Sequence, residues 1–135
     1  MFLVDTSVWI DFLRGRATLP VRTLRELLAG DEVVGVAPII LQEVLQGADS
    51  DERFEKWRKY FTGLWCYTPA DSVATHVAAA RLYQSCRRAG KTPRSSNDCL
   101  IACIAIEHEL VLLHDDRDFH AIAAVTPALR LYPIQ

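Results

Sequence analysis

No apolar run in this sequence approaches the ~20 residues that a membrane-crossing helix needs. The longest, Cys99–Ile106, has the length of a buried core helix. The chain opens MFLVDTSVWID, with no basic stretch and an aspartate already at position 5, so no secretory signal peptide is expected. The default address is then the cytoplasm, where cysteines stay reduced. Cys66, Cys86, Cys99 and Cys103 include no CxxC pair, do not read as a disulfide framework, and show no metal-ligand spacing with His76, His108, His114 or His120. Cys99 and Cys103, one turn apart in an apolar segment, read as core packing rather than as zinc ligands or nucleophiles. Ser95-Ser96 lacks the GxSxG context, and there is no glycine-rich phosphate loop. Repeats, low-complexity tracts and linkers are also missing, so the 135 residues read as one domain, 1–135.

Nor is there an excess of basic charge. Fifteen Lys and Arg against seventeen Asp and Glu give −2, which excludes a histone-like coat for nucleic acid. The distribution says more than the sum. Arg81, Arg87, Arg88, Lys91 and Arg94 form a basic group without an acid among them, and Arg53, Lys56, Arg58 and Lys59 form a second, mixed with acids.

What the chain does have is alternation. Strands are expected at Phe2–Val4, Val33–Val36, Leu64–Tyr67, Val111–Leu113 and Leu129–Tyr132. Between them, Ser7 suits the cap of a helix running to Leu13, and Leu19–Leu28 repeats apolar residues at helical spacing up to Gly30. Pro38 suits the first turn of a helix through Leu45. Asp51–Phe61 is amphipathic, with Phe54, Trp57, Arg58 and Phe61 on one side. Thr68-Pro69 is the expected cap of a long alanine-rich helix ending near Gly90, followed by a basic loop, Lys91–Ser96. Ser96 or Asn97 then opens a helix that is apolar nearly all round and therefore buried. Short strands alternating with helices predict an α/β fold, a parallel sheet with helices on both faces.

In open parallel sheets, ligands bind beyond the carboxyl ends of the strands. Asp5 ends the first strand and Asp115-Asp116 follows the fourth, so both lie on one edge. Asp98 starts the buried helix and Glu43 lies early in the helix after the second strand, so their elements also begin at that edge. Each acid has an ordinary reading: a strand-end turn for Asp5, a helix N-terminus for Asp98, a solvated helix position for Glu43, a polar turn for Asp115, Asp116 and Asp118. Their joint placement is what carries weight. Two carboxylates ~4 Å apart at an effective dielectric of ~20 repel by ~4 kcal/mol. A divalent cation removes that cost, and oxygen ligands without His or thiolate favour Mg²⁺ or Mn²⁺ over Zn²⁺. Such an ion activates water and neutralises charge on phosphoryl oxygens, which points to phosphodiester hydrolysis. An Asp-Thr strand end is also similar to haloacid dehalogenase-like phosphatases, but Ser7 stands where their second aspartate belongs.

Val4-Asp5-Thr6-Ser7-Val8-Trp9-Ile10-Asp11 resembles the opening of PIN-domain nucleases, in particular the VapC toxins of bacterial toxin–antitoxin pairs. The likeness continues, in order, through Glu43 in LQEVLQG, Asp98 in SSNDCLIA and Asp116 in LLHDDRDF. The resemblance implies an RNase H-like three-layer α/β/α sandwich with a central, mainly parallel five-stranded sheet ordered 3-2-1-4-5. It implies an Mg²⁺- or Mn²⁺-dependent endoribonuclease, a hydrolase, with Asp5, Glu43, Asp98 and Asp116 as its acidic site. Asp5, Asp98 and Asp116 would contact the metal, Glu43 a second metal or the water, and Asp118 would help to bind a second ion. Two residues depart from the pattern: His114 stands where many members have Thr, Ser or Asn, and Asp115 adds a neighbouring acid.

The resemblance also implies partners. A VapB-type antitoxin would lie across the toxin, and Leu41, Leu45, Phe54, Trp57 and Phe61 offer an apolar groove for it. Arg87, Arg88, Lys91 and Arg94 are the candidate contacts to RNA phosphates. A homodimer and a toxin–antitoxin hetero-oligomer are expected of the family, with no membrane association. The competing readings are a housekeeping PIN ribonuclease without an antitoxin, distinguished by the absence of a small upstream reading frame, and a non-catalytic PIN-like binding module, distinguished by failure to bind Mg²⁺ or Mn²⁺.

Overall fold

The structure, a computed structural model, describes residues 1–133. Strands and helices alternate along it: β1 (Phe2–Val4), α1 (Thr6–Leu13), α2 (Leu19–Ala29), β2 (Val34–Val36), α3 (Pro38–Leu45), α4 (Asp51–Thr62), β3 (Trp65–Cys66), α5 (Ser72–Arg88), α6 (Asn97–Glu107), β4 (Val111–Leu113), α7 (Arg117–Val125) and β5 (Arg130–Leu131). Every strand pairing is parallel, in the order β3-β2-β1-β4-β5. This is the order that the sequence resemblance implies.

The topology follows from chain handedness. From central β1 the chain steps through β2 to β3, then crosses back to β4 and β5. Right-handed crossovers in opposite directions put the helices on opposite faces. The helix contacts divide largely accordingly: α1 touches α2 and α3, and α3 touches α4, while α5, α6 and α7 touch one another, and α3 meets α6 across the divide. The middle strands are covered on both sides, so Leu3, Val4, Leu112 and Leu113 are fully buried. On the first face, Trp9 of α1 meets Phe61 of α4 edge-on, with ring centroids 4.9 Å apart. On the second, α6 buries Cys99, Ile101, Ala102, Ile104 and Ala105, as its apolar circumference predicts.

Two helix starts differ from the sequence expectation. Asp5, not Ser7, is the N-cap of α1. A long helix was expected from Thr68-Pro69, but α5 begins at Ser72, with Asp71 accepting the Ala74 N–H. Thr68 is instead held from outside, its carbonyl accepting a 2.8 Å hydrogen bond from His108 Nε2. β2, β3 and β5 are each shorter than their apolar runs, because regular pairing stops before the runs do. Among the described residues no helix is long and apolar enough to cross a membrane.

Candidate active site

The reversal of strand order at β1 opens a crevice at the carboxyl edge of the sheet, where β1 and β4 end side by side. Val4 pairs with Leu113, and the Asp5 N–H donates to the Leu113 carbonyl at 2.9 Å. The chain therefore turns into α1 and toward α7 at the same level. Asp5 and Asp116 are the N-caps of those two helices. Asp98 is the second residue of α6, and Glu43 belongs to α3.

Each acid is held by a different neighbour. Asp5 is only 5% exposed, and its Oδ2 accepts the Ser7 hydroxyl at 2.6 Å and the Ser7 N–H at 3.3 Å. Burial pushes the Asp5 carboxyl above its usual range, the Ser7 bonds pull against this, and the Glu43 charge adds to it. Glu43 Oε1 accepts the Thr6 hydroxyl at 2.9 Å, tying α3 to the start of α1. Asp116 Oδ1 accepts the Asp118 N–H at 2.9 Å, and the Asp116 N–H donates to His114 Nδ1 at 3.2 Å. His114 is buried, and with Nδ1 accepting, it stands as the Nε2–H tautomer.

Asp98 differs from the rest. It takes part in none of the ion pairs among the described residues. Burial first, then the charges of Asp5, Asp116, Asp118 and Glu43, push its carboxyl up to about 7. A helix N-terminus normally favours an ionised acid, so burial, with the neighbouring acids adding to it, outweighs that preference here. One carboxylate oxygen from each of Asp98, Asp116 and Asp118 lies within 4.8 Å of the others. This donor set is all oxygen, and it fits a hard divalent cation.

Asp115 is exposed and lines a cleft with Asp116, His114, Arg117, His120 and Tyr132. Asp118 accepts the Arg94 N–H and Nε–H on Oδ2, both at 3.0 Å, and the Arg94 N–H is the main cause of its lowered pKa. Arg94 also donates from Nη2 to Asp116 Oδ1 at 2.7 Å. Arg94 therefore departs from the expected basic patch: it is drawn into the acids, while Arg87, Arg88 and Lys91 stay exposed.

Of the apolar groove residues, Phe54 is 40% exposed and Leu41, Leu45 and Trp57 are half-buried. Phe61 is 1% exposed and is removed from that groove, because it packs against Trp9 in the core. Cys99 is fully buried, with its thiol pushed up to about 12, chiefly by burial, as a packing role requires. Besides the Arg94 pairing, the contacts that escaped the sequence reading are those of the Thr6 and Ser7 hydroxyls and of the His114 ring. The first two carried a signal, since two hydroxyl residues directly follow a strand-end aspartate.

Residues 2–125 match the PIN domain family. The chain is 36% identical over 127 residues to Ribonuclease VapC11 of Mycobacterium tuberculosis, covering 93% of this chain and 94% of that protein. It is 33% identical over 126 residues to Ribonuclease VapC51 of the same organism, covering 93% and 87%. Among solved structures, it is similar to VapBC2 from Rickettsia felis bound to a promoter DNA fragment, with a TM-score of 0.75, 21% identity and coverage of 99% and 98%. A toxin–antitoxin complex from Klebsiella pneumoniae gives a TM-score of 0.72 at 19% identity, covering 98% and 97%. The chain belongs to the PIN domain family, and its sequence relatives there are VapC ribonucleases.

Proposed function

We propose that this chain is a VapC-type toxin: a cytoplasmic endoribonuclease that hydrolyses RNA phosphodiester bonds with Mg²⁺ or Mn²⁺ and is held in check by a VapB-type antitoxin. The observation that carries the reading is the cluster itself, in which Asp98 sits uncompensated among Asp5, Glu43, Asp116 and Asp118. A fold with no chemistry to perform gains nothing from that repulsion. The relatives support the same reading, since VapC11 and VapC51 are both named as ribonucleases.

Asp5, Asp98 and Asp116 would hold the ion, and Glu43, whose charge acts on both Asp5 and Asp98, would share it or orient water. When bound, the ion supplies positive charge beside the scissile phosphate and acidifies a water. The chain's own groups prepare that step. Ser7 holds Asp5 in one rotamer, Thr6 holds Glu43, and the Asp118 N–H together with His114 fixes Asp116. Positive charge held beside Asp98 would favour its ionised form. Arg87, Arg88 and Lys91 are proposed to meet RNA phosphates, and Leu41, Leu45, Phe54 and Trp57 to seat the antitoxin segment.

The test is to incubate the purified chain with total bacterial RNA and Mn²⁺ or Mg²⁺, beside lanes with EDTA and with Asp98→Asn. Discrete fragments that require the metal and vanish in the variant are expected. Fragmentation that survives EDTA or Asp98→Asn would overturn the proposal.

A further inference from the structure

Between α3 and α5 part of the surface of α6 is left open. Two hollows lie there, of about 250 and 330 Å³, and they share His76 of α5 and Leu100 of α6, so together they make one groove. Ile39 and Gln42 of α3 wall one end, and Tyr83 of α5 and Asn97 of α6 wall the other. The larger hollow is close to the ~300 Å³ at which ligand pockets begin. The groove adjoins the acids, since Gln42 directly precedes Glu43 and Asn97 directly precedes Asp98.

Its lining is unlike that of the acidic cluster beside it. Among the described residues, neither hollow is lined by a Lys, Arg, Asp or Glu. A groove without cations is not built for phosphate, which needs positive charge to hold it. Leu100 is half-buried and leaves an aliphatic floor, while the walls carry two rings and two amides. His76 Nδ1–H donates to the Ser72 carbonyl at 2.6 Å, which ties the ring to α5 and leaves Nε2 as its other edge. Flat rings beside amides that both donate and accept match an unpaired nucleobase, which has two faces to stack and a polar edge to pair. Tyr83 follows His76 by seven residues and Arg87 follows Tyr83 by four, so the three share one stripe of α5. An RNA strand laid along that stripe meets rings first and then the exposed charge of Arg87.

We propose that this groove is a base-binding subsite: it takes one nucleobase of a single-stranded RNA beside the scissile phosphate, stacked on Tyr83 and His76 and hydrogen-bonded by the amides of Asn97 and Gln42. The inference deepens the ribonuclease reading above and rests on it. It makes the substrate an unpaired stretch, because the bases of a duplex are stacked on one another and cannot enter a side pocket. It also gives Tyr83 and Asn97 a part in choosing where the RNA is cut.

The experiment compares wild type, Tyr83→Phe, Tyr83→Leu and Asn97→Ala, each checked for folding by circular dichroism. Binding of a labelled random-sequence single-stranded RNA is read by fluorescence anisotropy in EDTA, and cleavage of total bacterial RNA with Mn²⁺ by sequencing the product ends. Tyr83→Phe keeps the ring and should match wild type in both. Tyr83→Leu keeps apolar bulk without a ring and should bind RNA about 10-fold more weakly. Its product ends, and those of Asn97→Ala, should lose a nucleotide preference beside the cut that wild type shows. Wild-type binding and wild-type product ends in Tyr83→Leu would overturn the base-binding role and leave the ribonuclease reading standing. Loss of self-association in sedimentation by Tyr83→Leu, with RNA binding intact, would do the same and make the groove a seat for a second copy of this chain. Neither binding nor cleavage of RNA by wild type would overturn the ribonuclease reading and this inference together.

Discussion

Asp98 shows how burial and like charge outweigh a helix N-terminus. Its folded carboxyl titrates at about 7, against 3.8 for a free aspartate, with burial as the leading cause. The sign follows by linkage. Between about pH 4 and pH 7 the unfolded chain loses this proton and the folded chain keeps it, so the contribution of Asp98 to stability falls as pH rises through that window. Below the window it is fully present, and above it the loss is complete. In EDTA, Asp98→Asn should therefore be more stable than wild type at pH 8, with the gap closing toward pH 4. Urea denaturation across that range checks this, and parallel pH profiles for the two proteins would contradict it. Mn²⁺ should raise the stability of wild type and leave Asp98→Asn unmoved, because a ligand stabilises only the state that binds it.

The same residue scale separates what the sequence reveals from what it hides. Asp5, Asp98 and Asp116 are legible because each sits at an element start that strand polarity assigns to one edge, whereas Glu43, in the second half of α3, is legible through its motif. The pairing of Arg94 with Asp118 is hidden, since residues 24 positions apart meet only through the return of the chain across the sheet. A basic loop reads the same in sequence whether it is solvated or clamped on acids. Phe61 lies in the core rather than in the expected groove for a related reason. An amphipathic stripe names the buried face of a helix, and only the fold says which part of that face the core takes.

Among the elements, β2 is the most constrained. Gly35 pairs with Leu3 on one side and Trp65 on the other, and a Cβ there would stand 2.7 Å from the Trp65 carbonyl oxygen and press into the Tyr67 ring. Backbone cannot yield as a flexible side chain can, so the position admits no side chain. Gly35→Ala should destabilise the protein by about 1–3 kcal/mol. It should also speed amide exchange in β3, which must move away. An unchanged urea midpoint would contradict this account. β2 was legible from a β-branched run beside Gly35 and Pro38 and the other strands as short apolar runs, whereas helix starts were less so. Asp5 and Ser7 are both good caps, and the choice falls to Asp5 because the Ser7 hydroxyl is spent as a donor to it. For α5, the Thr68-Pro69 pair is locally suited to a helix start, but the His108 contact holds Thr68 in the approach to the helix instead.

At the scale of the molecule, a chain with net charge −2 is proposed to cut a polyanion, and the arrangement of its charges explains how. The acids converge on one crevice at the sheet edge. Arg94 is bonded to two of them, and Arg87, Arg88 and Lys91 remain exposed at and just beyond the end of α5. Topology produces that arrangement. Because strand order reverses at β1, four loops from distant parts of the chain end within one cleft. The alternation of strands and helices made the parallel sheet legible, and the motif order made its strand sequence legible through family resemblance. The central claim is that Asp5, Glu43, Asp98 and Asp116 act as one site. It is tested most directly by single-turnover cleavage of a fragment-mapped RNA by Asp5→Asn, Glu43→Gln, Asp98→Asn and Asp116→Asn, with melting temperature measured alongside. Each variant should stay folded and lose at least ~100-fold in cleavage rate, and combining two should cost far less than the product of the single losses. Wild-type cleavage by any folded Asp5→Asn, Asp98→Asn or Asp116→Asn protein would contradict the account.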